Sequence, residues 1–420
     1  MEEVVIVGCV RTPIGSFGGS LREVAVEKLG AVVLNEALKR AGIEPALVDD
    51  VIAGQSYQGG ECANGARLAL LEAGWPDTVP GVTLDRRCCS GLDAVIFGAM
   101  EIMTGNARVV AALGMESMSL AEMYLPGELR WGMGGRVDPK WGFMPRGHGA
   151  LSMWGVPFFD RIQRARVMSQ PIGRYGELNS MMSWAENAAK AEGITREEAD
   201  RWALRSHQRA VAAWKDGRFA EEVVPVPYPG AKGEVLSFEK DETPREGVSL
   251  EKLAKLKAVY PGGICTAGNS SSENDGAGAV ILAEASFARN TGLTVLARFV
   301  AGAWSACDPT VTYPAVDGAV KKVLGKAGLS IKDIDLFEIQ EAFAVQLLAD
   351  ARLMGIAEKD YDAKINLNGS GISLGHPIGA TGVMRLVSLV HEMRRRDLRL
   401  GLETICGGGG QGVAVAFARD

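Results

Sequence analysis

The sequence predicts an α/β protein built from two similar halves with an inserted loop domain, and three observations carry that prediction. Short apolar runs alternate with stretches of helical periodicity along the 420 residues, the pattern of strands separated by crossover helices. The order of these elements near the start of the chain returns near its end. Between the two lies a segment of different character, rich in tryptophan and glycine. The halves fall at residues 1–285, with the insertion at about 118–250, and at 286–420.

The elements follow in order. Val4 to Val7 is a run of the kind found in buried strands. Val26, Leu29, Val33 and Ala37 then share one helix face, and "VDDVIAG" (48–54) reads as the next strand. "DRRCCSGLDA" (85–94) opens a helix striped by Leu92, Val95, Ile96 and Ala99 that ends near Gly105. In the insertion, "LRWGMGGRVDPKWGFMPRGHG" (129–149) precedes a helix whose Thr195 and Glu198 predict a capping box, with Ala199, Trp202 and Ala203 turned inward. Insertions of this kind often hold binding residues on a rigid scaffold. "TVLARFVAGAW" (294–304) is strand-like, and Val320, Val323, Leu324 and Ala327 form the next stripe. "AGLSIKDIDLFEI" (327–339) then echoes "AGIEPALVDDVIA" (41–53) at an offset of 286. "SLGHPIGATG" (373–382) opens the last helix, striped by Val383, Leu386, Val387 and Val390.

Composition narrows the function. A net charge of −6 argues against a nucleic-acid binder. Seven scattered cysteines make no secreted disulfide framework, and no CxxC or His-x-x-x-His spacing suggests a metal. No apolar run approaches the roughly 20 residues that span a bilayer. "MEEVVIVGCVRTP" enters a strand at once and leaves no room for a signal or transit peptide. The expectation is a soluble protein of a reducing compartment, the cytoplasm, with no membrane partner.

Two adjacent cysteines, Cys88 and Cys89, stand at the mouth of the first half's helix. Most free cysteines are small buried hydrophobes. A helix N-terminus, with Arg86 and Arg87 beside it, favours thiolate at Cys88 and marks it as a nucleophile, and Gly91 lets backbone come close to a bound group. Cys89 reads as structural. Adding 286 to Cys88 gives position 374, beside His376, so halves packed about a pseudo-twofold axis would bring this thiol and this imidazole together. His376 sits in a turn that exposes its ring as a base or an oxyanion donor. The other three histidines, His148, His207 and His391, suit solvated or core roles. Cys406 lies in "ETICGGGGQGVAVAF" (403–417), where four glycines bring backbone N–H groups close beside a second sulfur.

Together these blocks resemble the thiolase family over nearly the whole chain. "DRRCCSGLDA" is similar to its nucleophile motif, "NLNGSGISLGHPIGATG" (366–382) to its Gly-His-Pro block, and "ICGGGGQG" (405–412) to its C-terminal cysteine block. "FEIQEAFAVQ" (337–346), "TAGNSSSENDGAGAV" (266–280), "MMSWAENAAK" (181–190), "GMESMS" (114–119) and "RTPIGSFGG" (11–19) also fit. The resemblance implies a thiolase fold, two βαβαβαββ halves in α-β-α-β-α layers with the loop domain over coenzyme A. It implies an acyltransferase that catalyses reversible Claisen condensation or thiolytic cleavage of 3-ketoacyl-CoA through an acyl-cysteine. Acyl-CoA and CoA are then substrates, with no tightly bound cofactor. By the same resemblance Cys88 is the nucleophile, His376 its activator and Cys406 the second acid/base. The N–H groups of Cys88 and Gly408 form one oxyanion hole, and His376 with Gln340 the other. Ser271, Ala267, Phe343 and Met181 line the pantetheine channel, and a homodimer or homotetramer is implied.

The chain departs from the family in four places. Gln340 replaces the usual Asn, Ser370 a common glycine, and "DPTVTYPAV" (308–316) lacks the usual Gly-x-Gly-Pro run. Trp131, Trp141, Trp154 and Trp184 make the loop domain aromatic, as core or as a reshaped acyl pocket. The rival readings are a ketoacyl-synthase-like condensing enzyme, which needs a second histidine in a matching Gly-rich context that none of the other three has, and a non-catalytic acyl-CoA-binding scaffold.

Overall fold

The computed structural model describes residues 2–127, 158–176 and 181–419. Nine strands run along one path. From the N-terminal half come β3 (Gly81–Leu84), β2 (Asp50–Gly54), β4 (Val109–Ser117), β5 (Asn274–Glu284) and β1 (Val4–Arg11). The C-terminal half continues with β6 (Ala297–Ala306), β9 (Gln411–Ala418), β8 (Leu400–Gly407) and β7 (Leu336–Ile339). Pairing repeats between the halves. β2–β4 and β7–β8 are parallel, and the remaining equivalent pairs, β4–β5–β1 and β8–β9–β6, are antiparallel. Among the described residues the half-sheets join only at one corner, through Val5–Arg298 and Ile6–Ala297.

Helices fill three layers. α1 (Val26–Ala41) and α2 (Gly65–Glu72) cover the outer face of the first half-sheet, where Leu29, Val33 and Ala37 pack with Val51, Leu113 and Ile281. α4 (Met181–Glu192), α5 (Arg196–Lys215), α6 (Tyr313–Ala327) and α7 (Ala344–Leu353) cover the second, around Phe337, Leu402 and Ala414. α3 (Ser90–Met103) and α8 (Thr381–Arg395) lie between the half-sheets, touching Ile6, Ile52 and Val280 on one side and Ile405, Val413 and Val415 on the other. The five expected layers are present. Every residue of α8 from Thr381 to Met393 is buried, so its apolar stripe understates how enclosed it is. The capping box forms as expected: Thr195 Oγ1 accepts from Glu198 N, and the Glu198 carboxylate accepts from Thr195 N at 2.8 Å. Trp131, Trp141, Trp154 and His148 lie outside the described residues.

The sequence offset holds where it was read and slips further along. β2 begins at 50 and β7 at 336, a difference of 286, whereas α3 begins at 90 and α8 at 381, a difference of 291. At the longer offset Gly91 matches Gly382, and these two glycines let the helix mouths cross. A Cβ on Gly382 would stand 2.6 Å from Leu92 N, and one on Gly91 2.8 Å from Gly379 O. The obstructing atoms are backbone, which cannot swing aside. Both helices therefore start at the same point, with Cys88 just before one mouth and His376 just before the other. Gly382→Ala is expected to cost about 1–3 kcal/mol by overpacking and to lower activity disproportionately. A denaturant midpoint and a thiolysis rate both equal to wild type would contradict this account of the crossing.

Candidate active site

Cys88 follows Arg87, which holds a left-handed φ of 54°, a strained conformation for a residue with a Cβ. Ser90 stabilises the bend from within, accepting from Arg86 N at 2.7 Å and donating to Arg87 O at 2.6 Å. The turn aims the thiol at the second half, where His376 Nε2 lies 3.3 Å from Cys88 Sγ. On the far side of the ring, Nδ1 is 2.7 Å from Thr381 Oγ1, whose own hydroxyl is 2.9 Å from Pro377 O. When that hydroxyl donates to the carbonyl, Nδ1 carries the imidazole proton and Nε2 is left bare toward the sulfur. The backbone beside the ring is fixed as well, because His376 N donates to Asn274 Oδ1 at 2.8 Å and Asn274 Nδ2 to Gly15 O at 2.9 Å. Gly375, at φ 103°, passes where a Cβ would strike the Asn274 side chain at 2.6 Å. Three distant motifs of the sequence meet in that one contact.

A cavity of about 280 Å³ opens at this point. Cys88, His376, Cys406, Gly408, Ser271, Phe343 and Met181 all line it. Cys406 is 3% exposed at the end of β8, whose turn packs back on the Cys88–Cys89 segment: a Cβ on Gly407 would lie 2.8 Å from Cys89 Sγ. Cys89 itself is buried and donates to Ile405 O at 3.5 Å, a packing role. Phe343 meets Trp184 edge to face at 5.4 Å, so this tryptophan is both core and cavity wall.

Two residues singled out from the sequence do not line the cavity. Gln340 is buried, its N–H bonded to Thr404 O at 3.1 Å, and its side chain packs against Gly371. Neither amide atom finds a hydrogen-bond partner among the described residues. Ala267 is exposed in the turn that Asn269 closes by accepting from Thr266 N at 2.7 Å. The 308–316 departure sits behind the glycine turn, with Pro309 under Gly410 and Cys307 N donating to Gly410 O at 2.8 Å.

Sequence reasoning missed Tyr57, Met118, Arg166, Glu273 and Ile378 on the wall, since single residues on separate loops carry no periodic signal. It also missed Glu116 as a clamp. This buried carboxylate accepts from Ser56 N at 3.0 Å, Tyr57 N at 3.1 Å and Gly379 N at 2.8 Å, tying two cavity loops together, and burial pushes it up to about 7.

The electrostatics correct one expectation. A helix N-terminus and two arginines were to favour thiolate, yet burial pushes the Cys88 thiol up to about 12. Arg87 and the N–H groups of Cys88 and Gly408 pull the other way and lose. Arg86 contributes little because it turns to Asp93 and stacks on Trp304. Burial, with Arg385 adding to it, pushes His376 down to about 3. The resting pair is a neutral thiol facing a neutral imidazole. Burial also holds the Cys406 thiol well above its ordinary value. Among the described residues no group of three or more His, Cys, Asp or Glu is placed to hold a metal, and no helix is long and apolar enough to cross a membrane.

Paired halves that bring a thiol, an imidazole and a second sulfur to one cavity define a condensing enzyme. The chain belongs to the thiolase family: residues 4–286 match its N-terminal domain and 293–419 its C-terminal domain. It is 43% identical to an acetyl-CoA acetyltransferase of Pseudomonas aeruginosa, with both chains covered in full. It is 41% identical to an acetyl-CoA acetyltransferase of Escherichia coli, again over all of both chains. Among solved structures, the acetyl-CoA acetyltransferase of Bacillus anthracis superposes with a TM-score of 0.90 at 40% identity, covering 100% of this chain and 99% of that one. Human mitochondrial 3-ketoacyl-CoA thiolase in complex with CoA gives 0.88 at 35%, covering 100% and 98%.

The pH dependence of the first chemical step follows from the two shifts. An imidazole lowered to about 3 stays basic, and a thiol raised to about 12 stays protonated, across the whole neutral range. Single-turnover acylation of Cys88 is therefore expected to be flat from about pH 5.5 to 9. A limb with an apparent pKa near that of free histidine, about 6.5, would show that the ring is solvated and the reading wrong.

Proposed function

We propose that this protein is an acetyl-CoA C-acyltransferase that works through an acyl-cysteine on Cys88, joining acetyl-CoA to an acyl-CoA or cleaving a 3-ketoacyl-CoA with CoA. The observation that carries the reading is the 3.3 Å approach of His376 Nε2 to Cys88 Sγ inside the cavity that Cys406 also lines. In the first step the sulfur attacks the thioester carbon and its proton passes to the bare Nε2. The carbonyl oxygen gathers negative charge and is held by the N–H groups of Cys88 and Gly408, both already directed at the sulfur. The CoA thiolate leaves with the proton of the Cys406 thiol, which becomes the thiolate, while His376 keeps the proton taken from Cys88. In the second step the Cys406 thiolate removes the α-proton of acetyl-CoA and is a thiol again. The resulting enolate, its oxygen faced by the His376 imidazolium, attacks the acyl carbon and expels Cys88 Sγ, which takes its proton back from His376. Microscopic reversal gives thiolysis.

Ser271, Phe343 and Met181 serve as walls for the pantetheine arm, with Ala267 outside at the mouth. Gln340 acts from behind, through Gly371, where its unpartnered amide suits a bound water. The halves at 1–285 and 286–420, with the insertion between, then act as one unit. A cytoplasmic location and an assembly of two or four copies complete the reading. The ketoacyl-synthase alternative is disfavoured because His376 is the sole histidine on the cavity wall among the described residues.

Mass spectrometry after mixing with acetoacetyl-CoA is expected to show an acetyl adduct on Cys88, and its absence would favour a non-catalytic scaffold. Cys406→Ala is expected to keep that adduct while condensation falls by about 100- to 10,000-fold. Normal condensation by this variant would remove the role given to the second sulfur. Thr381→Val keeps the shape but frees the tautomer, and is expected to lower kcat by about 10- to 100-fold at unchanged KM, with Thr381→Ser restoring it. A loss in KM alone would assign Thr381 to substrate binding instead.

A further inference from the structure

We propose, on the acyl-cysteine reading given above, that Tyr57 sets the length of the acyl group and holds the site to short chains. The cavity has two apolar walls that belong to different parts of the fold. Met181, Trp184 and Phe343 continue the core that covers the second half-sheet. Tyr57, Met118 and Ile378 form a separate cluster with Ile162 and Ala165 of the short helix Arg161–Val167. Cys88 packs with neither, but with the inner layer. The pantetheine arm takes the first wall, so an acyl group bonded to Cys88 Sγ has the second to lie against.

That second wall is tied down. Ile162 is buried against Tyr57 and Met118. Arg166, from the same short helix, pairs with Glu273, next to the Asn274 that holds His376 N. The whole cavity measures about 280 Å³, at the small end of ligand pockets, which run from about 300 to 1,000 Å³. Of the apolar side chains on this wall, the phenol of Tyr57 is the largest. It is 8% exposed, its N–H donates to Glu116 Oε1 at 3.1 Å, and the Arg87 guanidinium carbon lies 5.9 Å from the ring centre. A longer chain would have to move a packed ring whose backbone the Glu116 clamp fixes, and close-packed groups yield only at a cost.

The hydroxyl adds a second barrier. Burial first, and Glu116 second, push the phenol above its ordinary range, so it stays protonated, and Arg87, Cys88 and Arg166 are also near enough to act on it. All three line the same cavity, which places the hydroxyl end of the ring toward the cavity rather than the core behind it. Among the described residues this hydroxyl has no hydrogen-bond partner. An acetyl group on Cys88 leaves room for water at the hydroxyl. A long alkyl chain would cover it and strip that water without offering an acceptor, and a buried polar group left unpaired is costly. Size and polarity thus act in the same direction, against length.

The test is kcat/KM for thiolysis of acetoacetyl-CoA and 3-ketodecanoyl-CoA by wild type, Tyr57→Leu and Tyr57→Phe. Wild type is expected to favour the short substrate by at least about tenfold. Tyr57→Leu keeps an apolar contact but shortens the side chain, and is expected to raise the ratio of long to short by about tenfold or more. Tyr57→Phe removes only the oxygen and is expected to raise it by about fivefold or more. The ratio is taken within one preparation, so a partly unfolded sample does not change it. If the leucine variant fails to fold, the phenylalanine variant carries the comparison with the smaller shift. An active wild type that uses both substrates equally overturns the inference, and so does a ratio that moves in neither variant. A wild type that cleaves neither substrate overturns the acyl-transfer reading itself, and the length limit with it.

Discussion

Two helices begin at the same point in space, and the chemistry of this protein rests on that crossing. α3 and α8 come from halves whose sheets, among the described residues, touch through two residue pairs only. What holds the halves in register is the inner layer, where the two helices share one apolar core with both sheets. Gly91 and Gly382 bring the mouths together closely enough that side chains just before each helix share one cavity. Around this contact further close approaches accumulate. The end of β2 at Gly54 packs on Ser90, and β4 at Gly114 lies 2.9 Å (measured from a notional Cβ) from Ala380 Cα. Backbone against backbone leaves little freedom, which suits a site that must hold a sulfur and a nitrogen at a fixed separation.

Such enclosure sets the acid–base character of the site. Backbone N–H groups and Arg87 favour a thiolate, but removing the sulfur from water outweighs them. The same burial keeps the imidazole neutral. On the mechanism proposed above, charge appears only as the reaction creates it, on an imidazolium and an oxyanion that form together and stabilise one another at short range. A permanently ionised thiol would face its substrate already stabilised, and part of the driving force for attack would be gone.

Much of this was legible in the residues. Period and order gave the duplicated α/β layout, and the side-by-side cysteines, the Gly-His-Pro turn and the glycine run marked three of the cavity-lining groups. What escaped has physical reasons. The offset of 286 came from α1 and β2, where the halves match, and gave no warning of the five residues gained before α8. The helix-mouth argument weighed dipole and arginine but could not see burial, which depends on the entire tertiary fold. Gln340 was placed in the hole by its motif, yet its side chain turns to Gly371. Glu116 read as part of a motif, but its three backbone partners lie in two loops, one about 60 residues before it and the other 263 after it.

The shared inner layer bears on how such a chain can be divided. α8 is buried from Thr381 to Met393, and each half-sheet supplies a wall for its apolar stripe. A fragment ending before β6 would leave α3 with a single wall and its other flank bare to solvent. Each half thus covers the inner helix of the other, and cutting the chain between β5 and β6 would bare apolar surface on both pieces.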